Sequence, residues 1–155
     1  MEFISKEDIE APIGDVFAVL SEFETFERQA IRRGVELQRE GDIKNPAPGL
    51  AWDAEFSMRG KTRQIRVTLT QYDPDTTIQF EGTGSGLEGL FVLDLMALSP
   101  KRTRMTVNMT MGAKSLSARL FLQSLKLARG NLNKRFKLKV ADYAKAMEDR
   151  FSRMA

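Results

Sequence analysis

Any chemistry in this chain must be done without the two most versatile side chains. Its 155 residues include no histidine and no cysteine. That removes the usual general base, the imidazole zinc ligand, the thiol nucleophile and the Ser-His-Asp triad, together with thiolate metal sites and disulfides. Carboxylates, lysine, arginine and tyrosine remain. Paired carboxylates could do acid–base work, provided they reach a site that holds a substrate. Asp53, Glu55, Glu81 and Asp94 all fall on the polar side of alternating segments, so the alternation points them outward. No catalytic residue, metal ligand or cofactor is assigned on this basis. Few groups are suited to orienting a ligand. Trp52 offers an indole N–H, which only donates, and Tyr72 and Tyr143 offer hydroxyls. Tyr143 is the better placed, because it lies on an apolar stripe. The glycines of Gly82-Thr83-Gly84-Ser85-Gly86 suggest a phosphate loop, but such a loop needs a helix N-terminus behind it. The residues that follow, Leu87 to Leu98, read as a strand instead.

Two kinds of element must position these groups. The first is a helix over Ser115–Met154, broken by no proline and containing one glycine, Gly130. Ala118, Phe121, Leu125, Ala128, Leu132, Phe136, Val140, Tyr143, Met147 and Phe151 recur three or four apart, forming one apolar stripe. Ser115 or Ser117 can cap its start. Gly130 costs about 1 kcal/mol against alanine in mid-helix, which reads equally as a kink or close approach and as a tolerated glycine. The second kind is the alternating strand. Leu50, Trp52, Ala54, Phe56 and Met58 alternate with polar neighbours, as do Ile65, Val67 and Leu69, then Ile78 and Phe80. Strands are expected over Glu2–Glu10, about 34–40, 50–58, around Ile65, Val67 and Leu69, around Ile78 and Phe80, then over 87–98 and 102–111. Turns fall at Arg59-Gly60-Lys61, Asp73-Pro74-Asp75 and Ser99-Pro100-Lys101, and a loop at 42–49. Ala11-Pro12 opens a short helix over 12–21, since proline suits a first helical turn. A second covers 22–33, with Phe23, Phe26 and Ile31 as its buried side.

The order is strand, two short helices, six strands in hairpin succession, then the long helix. Strands joined by tight turns pair antiparallel. The fold class expected is α+β, with helices on one face of a curved antiparallel sheet. One domain over 1–155 follows from the length. The start MEFISKEDIE is charged rather than oily, and no apolar run reaches membrane-spanning length. A cytoplasmic location is therefore expected. Net charge is +3, but it is unevenly placed: ten Lys/Arg against three Asp/Glu from Ser115 onward, and 14 against 18 before it. The basic side of the last helix reads first as a solvated face, and second as a docking face for an anionic membrane or partner.

Asp8-Ile9-Glu10-Ala11-Pro12 running into Val16-Phe17-Ala18-Val19-Leu20-Ser21, the hairpins from Trp52 to Met58, Ile65 to Pro74 and Thr76 to Phe80, and Pro100 to Val107 before a long last helix together resemble the START-like, or SRPBCC, superfamily. That superfamily includes plant pathogenesis-related allergens and bacterial polyketide cyclase/dehydrase-type proteins. The segment Glu22–Arg28 departs from many members in having no tryptophan. The resemblance implies a helix-grip fold, with a sheet of about seven strands (β-α-α-β6-α) wrapped around the C-terminal helix. It also implies a deep cavity between them for lipids, sterols, quinones or polyketides.

The ligand-binding residues expected are Trp52, Phe56, Met58, Val67, Leu69, Phe80, Phe91, Leu93, Met109, Met111, Phe121, Leu125 and Tyr143. This inner face reads equally as a filled core and as a cavity wall; Met58, Met105, Met109 and Met111 share it, and methionine adapts to varied apolar partners, which speaks for the cavity. The half of the last helix from Phe121 to Leu132 is expected to wall the cavity, with Phe136 to Phe151 as plain core. The leading functional expectation is binding or carriage of a hydrophobic small molecule. The alternatives are a polyketide cyclase/dehydratase-type enzyme and a membrane- or partner-docking module using the basic helix. The partners expected are a hydrophobic small molecule and, transiently, an anionic membrane. Nucleic acid is not expected, and the sequence leaves the oligomeric state open.

Overall fold

Alternation dictates most of the chain, and the computed structural model, which describes residues 1–154, arranges it as one sheet with four helices. The elements in chain order are β1 (Glu2–Ile9), α1 (Ile13–Leu20), α2 (Phe23–Arg32), β2 (Glu36–Glu40), β3 (Ala51–Met58), β4 (Lys61–Asp73), β5 (Thr77–Gly84), β6 (Leu87–Ser99), β7 (Arg102–Ala113), α3 (Leu116–Leu127) and α4 (Arg129–Met154). The seven strands pair antiparallel in the order β1-β7-β6-β5-β4-β3-β2. Each hairpin partner is thus a sequence neighbour, and only β1 crosses over, to pair with β7. Bulges between Leu69 and Gln71 in β4 and between Ala97 and Ser99 in β6 interrupt the register. An extra residue on one strand bends it and increases its twist, which curves the sheet.

The concave face holds the core. Ile9, Val16, Leu69, Ile78, Met105 and Met147 are buried almost completely, and Phe17, Leu20 and Phe23 close over them from α1 and α2. Thr103, fully buried, donates from Oγ1 to the carbonyl of Ala11 at 2.8 Å, which fixes the Ala-Pro step against β7. The C-terminal part of α4 is tied to the start of the chain. Glu148 accepts from the Glu10 N–H at 2.9 Å, and Arg150 forks onto Glu22 at 2.7 and 3.0 Å.

The β5–β6 turn shows why glycine is needed where it stands. Ser85 and Gly86 both have positive φ, 52° and 75°, as a two-residue turn matched to strand twist requires. A Cβ on Gly86 would also collide with Ser115 Oγ. That contact packs the turn against the start of α3, where Ser115 caps the helix by accepting from the Ala118 N–H at 3.2 Å.

Two expectations differ from the structure. The single helix over 115–154 is two helices. Its interruption is at Ala128, whose φ of −104° and ψ of 16° leave the helical range while its N–H turns back to the Leu125 carbonyl. Gly130 falls in the first turn of α4 with no atom near its missing Cβ, so no close approach calls for glycine there. Ile31, expected on the buried side of α2, is 57% exposed. Phe23, Phe26 and Glu27 form the inward face, and Ile31 lies past its edge.

Candidate functional site

Between the concave face and α4 lies a cavity of about 680 Å³ with an almost wholly apolar lining. The sheet supplies Trp52, Ala54, Val67, Phe80, Phe91, Leu93, Met105, Val107 and Met109. All are inner-face positions, set two apart within each strand by the pleat. From α4 come Phe136, Lys139, Val140 and Tyr143, spaced i, i+3, i+4, i+7 as one helical face demands. From α1 and α2 come Leu20, Phe23, Phe26, Glu27 and Gln29, and Leu37 of β2 completes the wall. Aromatic rings brace one another around it. Phe23 meets Trp52 edge-on at 5.8 Å and Phe80 at 5.7 Å, and Phe80 lies 6.4 Å from Phe91. Such tilted and edge contacts are favourable by about 0.5–1.5 kcal/mol each beyond area burial, and they brace the wall.

Of the residues expected at the site, seven line this cavity: Trp52, Val67, Phe80, Phe91, Leu93, Met109 and Tyr143. The other six lie elsewhere. Leu69 is fully buried in the core. Met58 is 41% exposed beside the β3–β4 turn, and Phe56 is half-buried opposite Arg63 near the same turn. Met111 is half-buried near the end of β7. Leu125 is half-buried in the last turn of α3. Phe121 lies beneath two guanidinium groups, with Arg63 4.4 Å and Arg59 5.5 Å from its ring centre. The helical wall is thus α4 from Phe136 to Tyr143, and not the stretch around Phe121 to Leu132. The break at Ala128 is the physical reason, since it divides the stripe between two helices.

Polar groups at the cavity are few, and one escaped the sequence reading. Glu27 accepts from the Trp52 indole N–H at 2.7 Å through Oε2 and from Arg39 at 2.8 Å through Oε1. The donor of Trp52 is therefore already engaged. Glu27 could have been found from its spacing, because Phe23, Phe26 and Glu27 are i, i+3 and i+4 on one helix face. The four carboxylates read as outward-facing, Asp53, Glu55, Glu81 and Asp94, are absent from the lining. Tyr72 is spent on structure, donating to Ser21 Oγ at 2.9 Å. Tyr143 is different. Burial, reinforced by the negative charge of Glu22, pushes its phenol up to about 12. It is a protonated donor across the physiological range, beside Phe26 at a ring distance of 6.1 Å. Lys139 and Gln29 add exposed or rim polarity. Among the described residues no group of three His, Cys, Asp or Glu side chains could hold a metal ion. No helix among them is long and apolar enough to cross a membrane.

Comparison with known proteins places this geometry in a lineage. The family described as polyketide cyclase / dehydrase and lipid transport matches residues 2–148. No curated protein matches the sequence. Among solved structures, TTHA0849 from Thermus thermophilus superposes with a TM-score of 0.65 at 15% identity, over 100% of this chain and 99% of its own. The ZhuI aromatase/cyclase from a Streptomyces species gives 0.60 at 15% identity, over 94% and 93%. Norcoclaurine synthase from Thalictrum flavum, in complex with dopamine and hydroxybenzaldehyde, gives 0.66 at 12% identity, over 100% and 88%. At these identities the likeness is one of fold, the helix-grip arrangement of a curved sheet around a C-terminal helix.

Proposed function

The chain belongs to the polyketide cyclase/dehydrase and lipid transport family, and from that premise we propose that it binds and carries a hydrophobic small molecule, lipid-, quinone- or polyketide-like, in the cavity between sheet and α4. The observation that carries this reading is the cavity itself: about 680 Å³ lined almost wholly by apolar side chains. That is the volume of a typical small-molecule site, and apolar walls with a few convergent polar groups are the usual build of one. Tyr143 supplies one donor, suited to a carbonyl or hydroxyl oxygen on an otherwise apolar ligand. Two of the similar structures are an aromatase/cyclase and a norcoclaurine synthase, which makes cyclase-type chemistry the second reading. The state of Glu27 favours carriage over it. Each of its oxygens accepts one hydrogen bond, from Trp52 and from Arg39, so its role in holding these two side chains accounts for its presence at the cavity without a catalytic one.

Mass spectrometry of an organic extract from the purified protein tests the proposal. An apolar compound recovered in near-stoichiometric amount, and taken up again unchanged by stripped protein, is the expected result. A protein that co-purifies with nothing and takes up no apolar probe would overturn it. Recovery of a ring-closed or dehydrated product after incubation with a poly-β-keto substrate would replace carriage by catalysis.

A further inference from the structure

The helix α3 carries a surface that the fold leaves uncovered. Its inner side packs Ala118 and Leu122 into the protein. On the opposite side Leu116, Leu120 and Leu127 are 74%, 58% and 92% exposed. At 3.6 residues per turn these three fall within about 40° of one another around the helix axis. Three leucines aligned on the outer crest of a helix are not the scattered single apolar residues any surface shows.

What surrounds the leucines is cationic. From Lys114 to Ala141 the chain has eight lysines and arginines and no aspartate or glutamate. Arg119 and Lys126 border one side of the crest on α3, about 60° and 80° around the axis from Leu116, and Arg129 follows at the break. Only Lys114 of the eight pairs with a carboxylate among the described residues, with Glu88 at 3.3 Å. Farther along α4, Lys145 sits 3.3 Å from Asp149 and 4.0 Å from Glu148. Of the basic residues from Ser115 onward, those with no carboxylate partner among the described residues therefore lie almost all in α3 and the first half of α4.

We infer that α3 is a docking helix for an anionic phospholipid surface, lying in the plane of the interface with Leu116, Leu120 and Leu127 inserted and Arg119, Lys126 and Arg129 against the headgroups. Apolar residues on the crest with cations beside them are the pattern of an interfacial amphipathic helix. Charge complementarity selects this occupant. A second copy docked on the same face would set cations against cations. Nucleic acid would meet leucines where its phosphates need charge. This surface stands apart from the cavity, so the two readings fail independently.

Co-sedimentation of the full chain with vesicles tests it, using phosphatidylcholine alone and phosphatidylcholine mixed with phosphatidylglycerol. The wild-type protein should pellet with the mixed vesicles at low salt and stay in the supernatant with the neutral ones. The triple variant Leu116→Ser, Leu120→Ser, Leu127→Ser should lose about two orders of magnitude or more in partition coefficient, since each leucine removes a buried side chain from the bilayer. The double variant Arg119→Gln, Lys126→Gln should lose about 25-fold, at about fivefold per cation. Thermal unfolding at the wild-type temperature establishes that both variants fold, as exposed positions allow. A wild type that ignores mixed vesicles overturns the inference, and so does a triple leucine variant that binds them as the wild type does. A dimer in sedimentation equilibrium that the leucine variant dissolves would also overturn it, by making a second copy the occupant.

Discussion

Along β3, Trp52 is 8% exposed and lines the cavity, whereas Met58, six residues on and on the same face, is 41% exposed beside a turn. Along β4, Val67 lines the cavity while Arg63, toward the same turn, lies over Phe121 of α3. One concave face thus has two ends. Under α2 and α4, rings held at edge contacts leave a space. Under α3, two arginines stacked on one phenylalanine occupy it. The lesson is that alternation decides which way a side chain points but not whether the side chains opposite will fill the gap. That second property depends on what the facing helix presents. Here α4 presents Phe136, Val140 and Tyr143 to a hollow, and α3 presents Phe121 to Arg59 and Arg63.

The contrast can be broken by substitution, starting with neighbours on one strand. Leu69 is fully buried in packed core, so Leu69→Ala should cost about 2–5 kcal/mol in urea unfolding. Val67 is two residues away and faces the cavity, so its truncation removes atoms that already lack partners on one side. Val67→Ala should cost well under the leucine change. Equal costs would mean that the cavity is not a cavity. The next largest effect is at Glu27. Glu27→Ala strips the buried indole N–H of Trp52 of its acceptor, a loss of about 1–3 kcal/mol, and Glu27→Gln should restore most of it by keeping a carbonyl oxygen. Because Trp52 is the sole tryptophan, its emission reports the same change directly.

At the other end Arg63 Nε is buried without a hydrogen-bond partner among the described residues. Arg63→Met removes that unmet donor and keeps a long polarizable side chain on Phe121. Stability should stay within about 1 kcal/mol of wild type or rise, the lost cation–π contact offsetting the gain. A loss of several kcal/mol would show that the guanidinium has a partner. The smallest effect is a pH dependence. Tyr143's phenol is raised in the folded protein from 10.0 to about 12, so its protonated form is the one the fold prefers. The contribution is fully present below pH 10 and is lost as pH rises from about 10 through about 12. Unfolding free energy should fall over that window, and Tyr143→Phe should flatten the fall.

The fold was legible from the sequence because antiparallel hairpins leave a local record. Period-two runs at Trp52–Met58 and Ile65–Leu69, with turn residues between, identify the strands and their neighbours without any knowledge of the rest. The inward side of the sheet was legible for the same reason, which is how Trp52, Val67, Phe80, Phe91, Leu93 and Met109 could be read toward the interior. The helical side was harder. In the stripe over 115–154 the one local hint of a break is Gly130, two residues past the point where Ala128 leaves the helical range; alanine itself, the best helix former, gives none. Without the break's exact place, Phe121 and Leu125 could not be told from Phe136 and Val140. Glu27 was overlooked because a charged residue on a short helix is usually solvated, and only its partners, Trp52 and Arg39, show otherwise. The exposed crest of Leu116, Leu120 and Leu127 was hidden in the same way, since leucines in a long helix read as core until the covering element is located.

A crystal structure of the protein as purified, compared with that of Val67→Trp, tests the central claim most directly. The account predicts non-protein density in the wild-type cavity, against Val67, Phe91 and Phe136 and within hydrogen-bond reach of the Tyr143 hydroxyl. In Val67→Trp the indole should occupy that space, with the sheet and α4 unmoved. A wild-type cavity closed by collapse of Phe80, Phe91 and Phe136 onto one another, with no room for a ligand, would contradict it.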